Sequence, residues 1–356
     1  MGSEIFSSRY GPISHSHSHS HDGTLAMQTP DLSIVIINWN SQEFVRKCLS
    51  TIFENAASLN YEVFVVDNAS YDGVDRMLAS NFPQVIFLQC ERNIGFAAAN
   101  NLAFLKSRGR NTLFLNPDTE IEGTAIQILI SALESHPDAG VVGARLLNSD
   151  RTLQTNCITS APALLNQIIN SNLLRTVFPQ WTLWGMRPLF LSSSNPVPVD
   201  AISGACMLAR RSVFERVGGF TTTYFMYAED VDLCVKISNA GSAVYYVPEA
   251  SIIHHAGRSS SQREESSFSS VMICASLVRF FVLHRGYTYA ALYRSSIICA
   301  ATIRIVLLAF VLPIRLMHGG LLYSTQPLKK WSSILLWALG LAPWVARRQQ
   351  QQSQTA

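Results

Sequence analysis

The chain opens its readable part with Leu32-Ser33-Ile34-Val35-Ile36-Ile37, an apolar, β-branched run of strand length. Asn38-Trp39-Asn40-Ser41 closes it with residues that favour turns and helix starts, and a helix is predicted from there to about residue 59. Val63-Phe64-Val65-Val66 is a second such run, ended by Asp67-Asn68-Ala69-Ser70 and the Asp72-Gly73 turn pair. The pattern repeats, with strands expected near 85–88 and 113–115 and helices over 96–106 and 124–134. Short buried strands alternating with helices predict an α/β fold, a mostly parallel, Rossmann-like sheet flanked by helices.

Further along, Pro162, Pro179, Pro188, Pro196 and Pro198 interrupt an apolar segment that includes Trp181 and Trp184, and residues 150–200 read as an excursion over the site. The sheet is expected to resume at 201–208, followed by a helix over 212–217 and a Gly218-Gly219 turn. A helix from about Asp230 to residue 239 comes next, with Val231, Cys234 and Val235 on one face and Gly241 just past its end. Residues 243–247 and 251–253 read as two final strands.

Composition sharpens the ends. All 24 acidic side chains and 18 of the 27 basic ones lie in residues 1–265, a net −6, while 266–356 carries nine basic residues and no acid. Residues 1–29 are polar, with Ser-His alternation through His15, His17, His19 and His21, and read as a disordered tail or tag rather than a signal. The seven cysteines have neither metal spacing nor a disulfide-like pattern, which fits a reducing compartment.

In parallel α/β sheets ligands sit outside the carboxyl ends of the strands, so the polar residues there are the first candidates. Asn38, Asp67, Asn93 and Asn116-Pro117-Asp118 all stand at such positions, and one crevice could hold them. Asp67 could accept hydrogen bonds from a pyrimidine or ribose, or could simply end its strand as an Asx-turn. Asp118 beside the neutral Asn116 suits a hard divalent cation, which prefers few carboxylates plus phosphate oxygens and water; a turn capping the next helix is the other reading. Glu229-Asp230-Val231-Asp232 sets three carboxylates at a helix start. The dipole there favours an ionised proton acceptor, although an acidic helix start can also merely solvate one face. Asp230 is the candidate general base, Glu229 its neighbour in orienting an acceptor, and Asp232 a structural residue. His254, in His254-His255 after the last strand, is a candidate ligand for Mn²⁺ or a phosphate contact.

Taken in order, these segments resemble the inverting family 2 glycosyltransferases of the GT-A fold, particularly the rhamnosyltransferase-like branch. The segments are residues 34–41, Val65-Val66-Asp67-Asn68-Ala69-Ser70, Arg92-Asn93-Ile94-Gly95-Phe96 with the following residues to Asn100, and residues 113–119. Gly204-Ala205-Cys206-Met207, Val217-Gly218-Gly219-Phe220 and residues 227–233 complete the series. The resemblance implies a nucleotide-diphosphate sugar donor, with dTDP-rhamnose the first to test, contacted by Asn38, Asn40, Asp67, Asn93 and Asn116. It further implies a Mg²⁺ or Mn²⁺ ion on Asp118, where relatives carry an Asp-x-Asp motif and where His254 is the candidate second ligand, and Asp230 as the base of a single displacement with Glu229 beside it. The acceptor would be a glycan or a lipid-linked sugar in cell-surface polysaccharide biosynthesis. Thr221-Thr222 stands where relatives usually have Asp-Glu.

Residues 30–265 would then be the GT-A domain, and 266–356 a basic and apolar helical appendage. Its longest apolar run is 16 residues, from Ile297 to Leu312, with Arg304 inside it. A bilayer span needs about 20, so the expected arrangement lies on an anionic membrane surface, at the cytoplasmic face, rather than across it. An ordinary helical subdomain packed on the sheet is the competing reading. Nucleic acid is not an expected partner, because the segment is too apolar for a solvated basic groove. A processive synthase would need several membrane helices and Gln-x-x-Arg-Trp, and a nucleotidyltransferase a Gly-rich first loop. A non-catalytic nucleotide-sugar-binding scaffold of the same fold is the rival from another class.

Overall fold

The computed structural model describes residues 29–164, 195–224, 226–255, 266–318 and 321–342. The tail, the tryptophan-bearing part of the 150–200 excursion and the Ser-rich loop after His255 lie outside the described residues.

The first half follows the predicted alternation. Strand β1 (Leu32–Asn38) is buried along its whole length, and helix α1 (Gln42–Asn55) covers it with Val45, Cys48, Leu49 and Ile52. There follow β2 (Tyr61–Asp67), α2 (Val74–Asn81), β3 (Ile86–Gln89), α3 (Phe96–Lys106) and β4 (Asn111–Leu115). These strands pair in parallel in the order β3-β2-β1-β4, so the ends of β1, β2 and β4 open on one edge.

The second half adds β5 (Thr119–Ile121), α4 (Ala125–Ser135), β6 (Ala139–Leu147), β7 (Ile158–Thr159), β8 (Val197–Pro198) and β9 (Ala201–Ile202). Then come β10 (Cys206–Arg210), α5 (Arg211–Arg216), α6 (Glu229–Asn239) and β11 (Ala243–His254). The sheet continues β4-β10-β6-β11-β5, with β10 antiparallel to both neighbours, and is therefore mixed though mostly parallel. Strand β6 was not among the predicted strands. Gly140 and Gly143 make it read as broken, yet a Cβ at Gly140 would meet Ile237 at 2.6 Å and one at Gly143 would meet Ile202 at 2.8 Å. These glycines let α6 and β9 approach the sheet. The two expected final strands are one, β11, bent by a register shift between Val247 and Ser251 where Pro248 falls.

All seven cysteines are free thiols, five of them buried. The C-terminal region is helical as expected, with α7 (Ser266–Arg285), α8 (Tyr287–His318) and α9 (Leu321–Ala338). These helices share a second apolar core, centred on Val271, Met272, Phe280, Phe281, Tyr293 and Trp337. Two of them are longer than the apolar runs suggested: residues 267–285 and 287–310 are long and apolar enough to cross a membrane by length and composition. The first is 39% buried against the protein, the second only 11%, so α7 packs more of its surface on the protein while α8 presents its side to the surroundings.

Candidate active site

The site is built on strand ends. Asn38, at the end of β1, is fully buried, and its amide donates to Asp67 Oδ1 at 2.9 Å, Ser70 Oγ at 2.9 Å and Asp72 Oδ1 at 3.0 Å. Asp67, opposite it at the end of β2, is also fully buried. One of its oxygens accepts from Ser70 Oγ and Asn38, and the other from the Tyr71 N–H at 3.0 Å and Gln89 Nε2 at 3.0 Å. Burial pushes this carboxyl upward, but the hydrogen bonds from Ser70, Tyr71, Gln89 and Asn38 outweigh it and hold the group below its ordinary range. Asp67 thus organises the turn through Ala69 (φ 59°) and Tyr71 (φ 52°), conformations a side chain adopts only under such restraint.

Asn93 extends the network: its Oδ1 accepts from Asn68 Nδ2 at 3.0 Å and from the Gly95 N–H at 2.9 Å, ahead of α3. Asn40 is exposed at φ 52° on the rim of the same edge. Asn38, Asp67 and Asn93 are therefore joined through one polar loop cluster, as their strand-end positions implied.

Asp118 lies 3% exposed after β4, with His254 Nε2 at 3.4 Å from Oδ1 and the Asn116 amide nitrogen at 3.4 Å from the same imidazole nitrogen. Gln154 decides the imidazole's tautomer. Its amide nitrogen faces two carbonyls, His254 O at 2.5 Å and Leu147 O at 3.5 Å, so its oxygen is the atom 3.0 Å from His254 Nδ1. Nδ1 therefore carries a proton, which leaves Nε2, on the Asp118 side, as the nitrogen available to ligate a metal. Among the described residues no cluster of three or more His, Cys, Asp or Glu side chains could hold an ion. One carboxylate and one imidazole still fit a Mg²⁺ or Mn²⁺ ion whose remaining ligands are diphosphate oxygens and water. His255, the neighbour, turns elsewhere, 2.6 Å from Ser149 Oγ and 2.8 Å from Glu120.

The acidic motif sits at the start of α6, after Tyr227 (φ 70°) and Ala228 (φ 68°). Asp230 Oδ2 accepts the Gly204 N–H at 2.9 Å and Oδ1 its own following N–H, of Val231, at 2.8 Å. Gly204 begins the short link to β10, and the next residue, Ala205, accepts the Asn116 N–H at 3.0 Å. The base candidate and the metal candidate are thus tied to one dipeptide. Glu229 Oε2 is buried and has no hydrogen-bond partner among the described residues.

The helix dipole favours an ionised proton acceptor here. Burial instead raises Asp230, against the pull of the Gly204 and Val231 N–H groups, and burial with the neighbouring Asp230 charge pushes Glu229 up to about 8. Asp230, with two N–H donors, is the better placed of the two to carry the negative charge. Asp232 is structural as expected: burial raises it, but His284, Thr221, Lys236 and Tyr224 together hold it below the usual range. Thr221, at the departure from the family's pattern, is therefore spoken for by Asp232 at 2.6 Å. His284 was not among the sequence candidates; it lies 52 residues from Asp232, and no local pattern joins them.

Comparison with known proteins agrees with this architecture. Residues 33–218 match the model of glycosyl transferase family 2, and residues 157–346 match that of glycosyl transferase family group 2. The chain belongs to the family 2 glycosyltransferases. It is 28% identical over 255 residues to an N-acetylglucosaminyl-diphospho-decaprenol L-rhamnosyltransferase of Mycobacterium tuberculosis, covering 68% of this chain and 81% of the relative. It is also 28% identical over 242 residues to the rhamnosyltransferase WbbL of Escherichia coli, covering 63% of this chain and 83% of that one. The mannosyltransferase PcManGT of Pyrobaculum calidifontis, solved with GDP-Man and Mn²⁺, superposes with a TM-score of 0.50 at 18% identity, over 89% of this chain and 87% of that one. The fold is GT-A.

Proposed function

We propose that the protein transfers a single sugar, L-rhamnose from dTDP-rhamnose, to a hydroxyl of a glycan or lipid-linked acceptor in cell-surface polysaccharide biosynthesis, with inversion at the anomeric carbon. The observation that carries the reading is the Gly204-Ala205 bridge, which fixes Asp230 beside the strand end bearing Asn116 and Asp118. The choice of rhamnose and of a lipid-linked acceptor follows the names of the M. tuberculosis and E. coli relatives.

In this reading Asn38, Asn40, Asp67 and Asn93 shape the nucleotide end, with Asp67 acting through the turn it organises. Asn116 orients His254, and Asp118 with His254 would hold a divalent cation, which supplies positive charge for the departing diphosphate. Asp230 takes the proton from the acceptor hydroxyl as that oxygen attacks the anomeric carbon. Glu229, carrying its proton at neutral pH, donates a hydrogen bond to the acceptor.

Residues 30–265 form the catalytic domain in this account, and 266–356 attach it to the anionic cytoplasmic face of the membrane. The side of α8 exposes Leu292, Ile303, Val306, Leu307 and Phe310. Arg294 and Arg304 turn toward α9: Arg294 donates to the Ala338 carbonyl at 2.8 Å, and Arg304 stacks over Trp331 at 4.3 Å. An uncharged outer face in a segment without acids suits a lipid surface.

The test is a donor panel with Mg²⁺ or Mn²⁺ and a lipid-linked acceptor, with the product's anomeric configuration read by NMR. Transfer from dTDP-rhamnose with inversion is expected. Nucleotide-sugar binding without transfer or hydrolysis across the panel would instead favour a binding scaffold.

A further inference from the structure

We propose that α7 is a clasp that holds the catalytic carboxylates in position, with His284 as its positioning residue; this rests on the reading of Asp230 as the base. The motif is presented by a turn that its own sequence disfavours. Tyr227 and Ala228 are consecutive non-glycine residues at φ 70° and 68°, and such residues persist only where their surroundings over-determine them.

Helix α7 supplies those surroundings. Ser276, 2% exposed, donates from Oγ to the Met226 carbonyl at 2.7 Å, one residue ahead of the strained pair. Arg279 Nε donates to Thr223 Oγ1 at 3.2 Å. Tyr224 belongs to the core that α7 shares with α8 and α9, and Tyr227, Ala228, Val231 and Val235 pack against it.

His284 completes the hold from the far end of α7. Its Nε2 donates to Asp232 Oδ1 at 2.7 Å, and the Phe280 ring one turn earlier lies 4.5 Å from the imidazole centroid and fixes its plane. Asp232 also accepts from the Tyr224 hydroxyl at 2.9 Å and from Thr221, while its own N–H closes on the Ala228 carbonyl at 2.8 Å. A pull on Asp232 is therefore a pull on the first turn of α6, which carries Glu229 and Asp230. The nucleotide-end residues hold each other through Asn38, Asp67, Ser70 and Gln89, so the clasp acts on the base side of the reaction.

The experiment compares wild type with His284→Ala, His284→Gln and Ser276→Ala in steady-state transfer, using the nucleotide sugar that wild type turns over, and in hydrogen exchange of peptides covering 221–233 and 38–70. His284→Ala is expected to lower kcat about tenfold or more while donor KM stays within about twofold, since small misplacements of a reacting group cost rate rather than binding. His284→Gln, whose amide still donates to Asp232, should recover most of kcat, and Ser276→Ala should act in the same direction more weakly. Exchange should rise in 221–233 and not in 38–70. If His284→Ala fails to fold, Ser276→Ala and His284→Gln carry the same test. Unchanged kcat and exchange, or equal losses in kcat and donor affinity without rescue by Gln, would overturn the clasp. Should wild type transfer nothing, the base assignment fails, while the exchange pattern still decides whether α7 holds the turn.

Discussion

The Gly204 N–H lies 2.9 Å from Asp230 Oδ2, and Ala205, one residue on, holds the backbone of Asn116. Two parts of the site separated by more than a hundred residues are therefore registered through a single dipeptide. A Cβ on Gly204 would stand 3.3 Å from the Asp230 Cβ, so the Asp230 side chain would have to give by a few tenths of an ångström. Gly204→Ala should lower kcat roughly tenfold to a hundredfold with little change in donor KM. A variant with wild-type kcat would show that this contact does not position the base.

Glu229 makes stability depend on pH. Its folded value is raised from 4.5 to about 8, so between those limits the folded state binds a proton the unfolded state has released. Stability must then fall as pH rises through that window. Melting temperatures at pH 5 and pH 8.5 should show Glu229→Gln losing less than wild type over the interval. Parallel curves would contradict a proton on Glu229.

Gln154 supports the metal candidate through His254 Nδ1. Gln154→Leu should weaken Mn²⁺ binding in the presence of nucleotide diphosphate about 10- to 100-fold, as loss of a partner behind a ligating histidine does. Titration calorimetry or manganese electron paramagnetic resonance reads this directly. Equal affinity in variant and wild type would remove His254 from the metal site.

Asp67 has a folded value held below the ordinary one, so its contribution is present above the unfolded value and lost as pH falls through the folded one. Asp67→Ala takes the acceptor from the Tyr71 N–H and the Ser70 hydroxyl, a loss of about 1–3 kcal/mol for each group left unsatisfied. Urea unfolding should show that loss at pH 7, and much less of it at a pH low enough to protonate wild type. An undiminished difference at low pH would mean that the charge on Asp67 is not what holds the turn.

The first four strands and their terminal polar residues were legible because apolar runs and turn residues are local signals. Strand β6 was not, since Gly140 and Gly143 read as breaks until Ile237 and Ile202 are seen to need the space. Asp232 could be set apart from Asp230 only in outline, because beyond Lys236, four residues on in the same helix, its partners Tyr224 and His284 come from outside α6. The proton on Glu229 was not legible, because burial, which sequence does not show, outweighs the helix dipole there. The left-handed turn at Tyr227 and Ala228 has no glycine to announce it.

The central claim is that Asp230 is the base. The measurement is transfer by Asp230→Asn against wild type, with donor binding followed in the same preparations. The expected result is a loss of kcat of at least about a hundredfold, within the range for removing a general base, with nucleotide-sugar affinity retained. Transfer within a few-fold of wild type would contradict it and move the proton acceptor elsewhere.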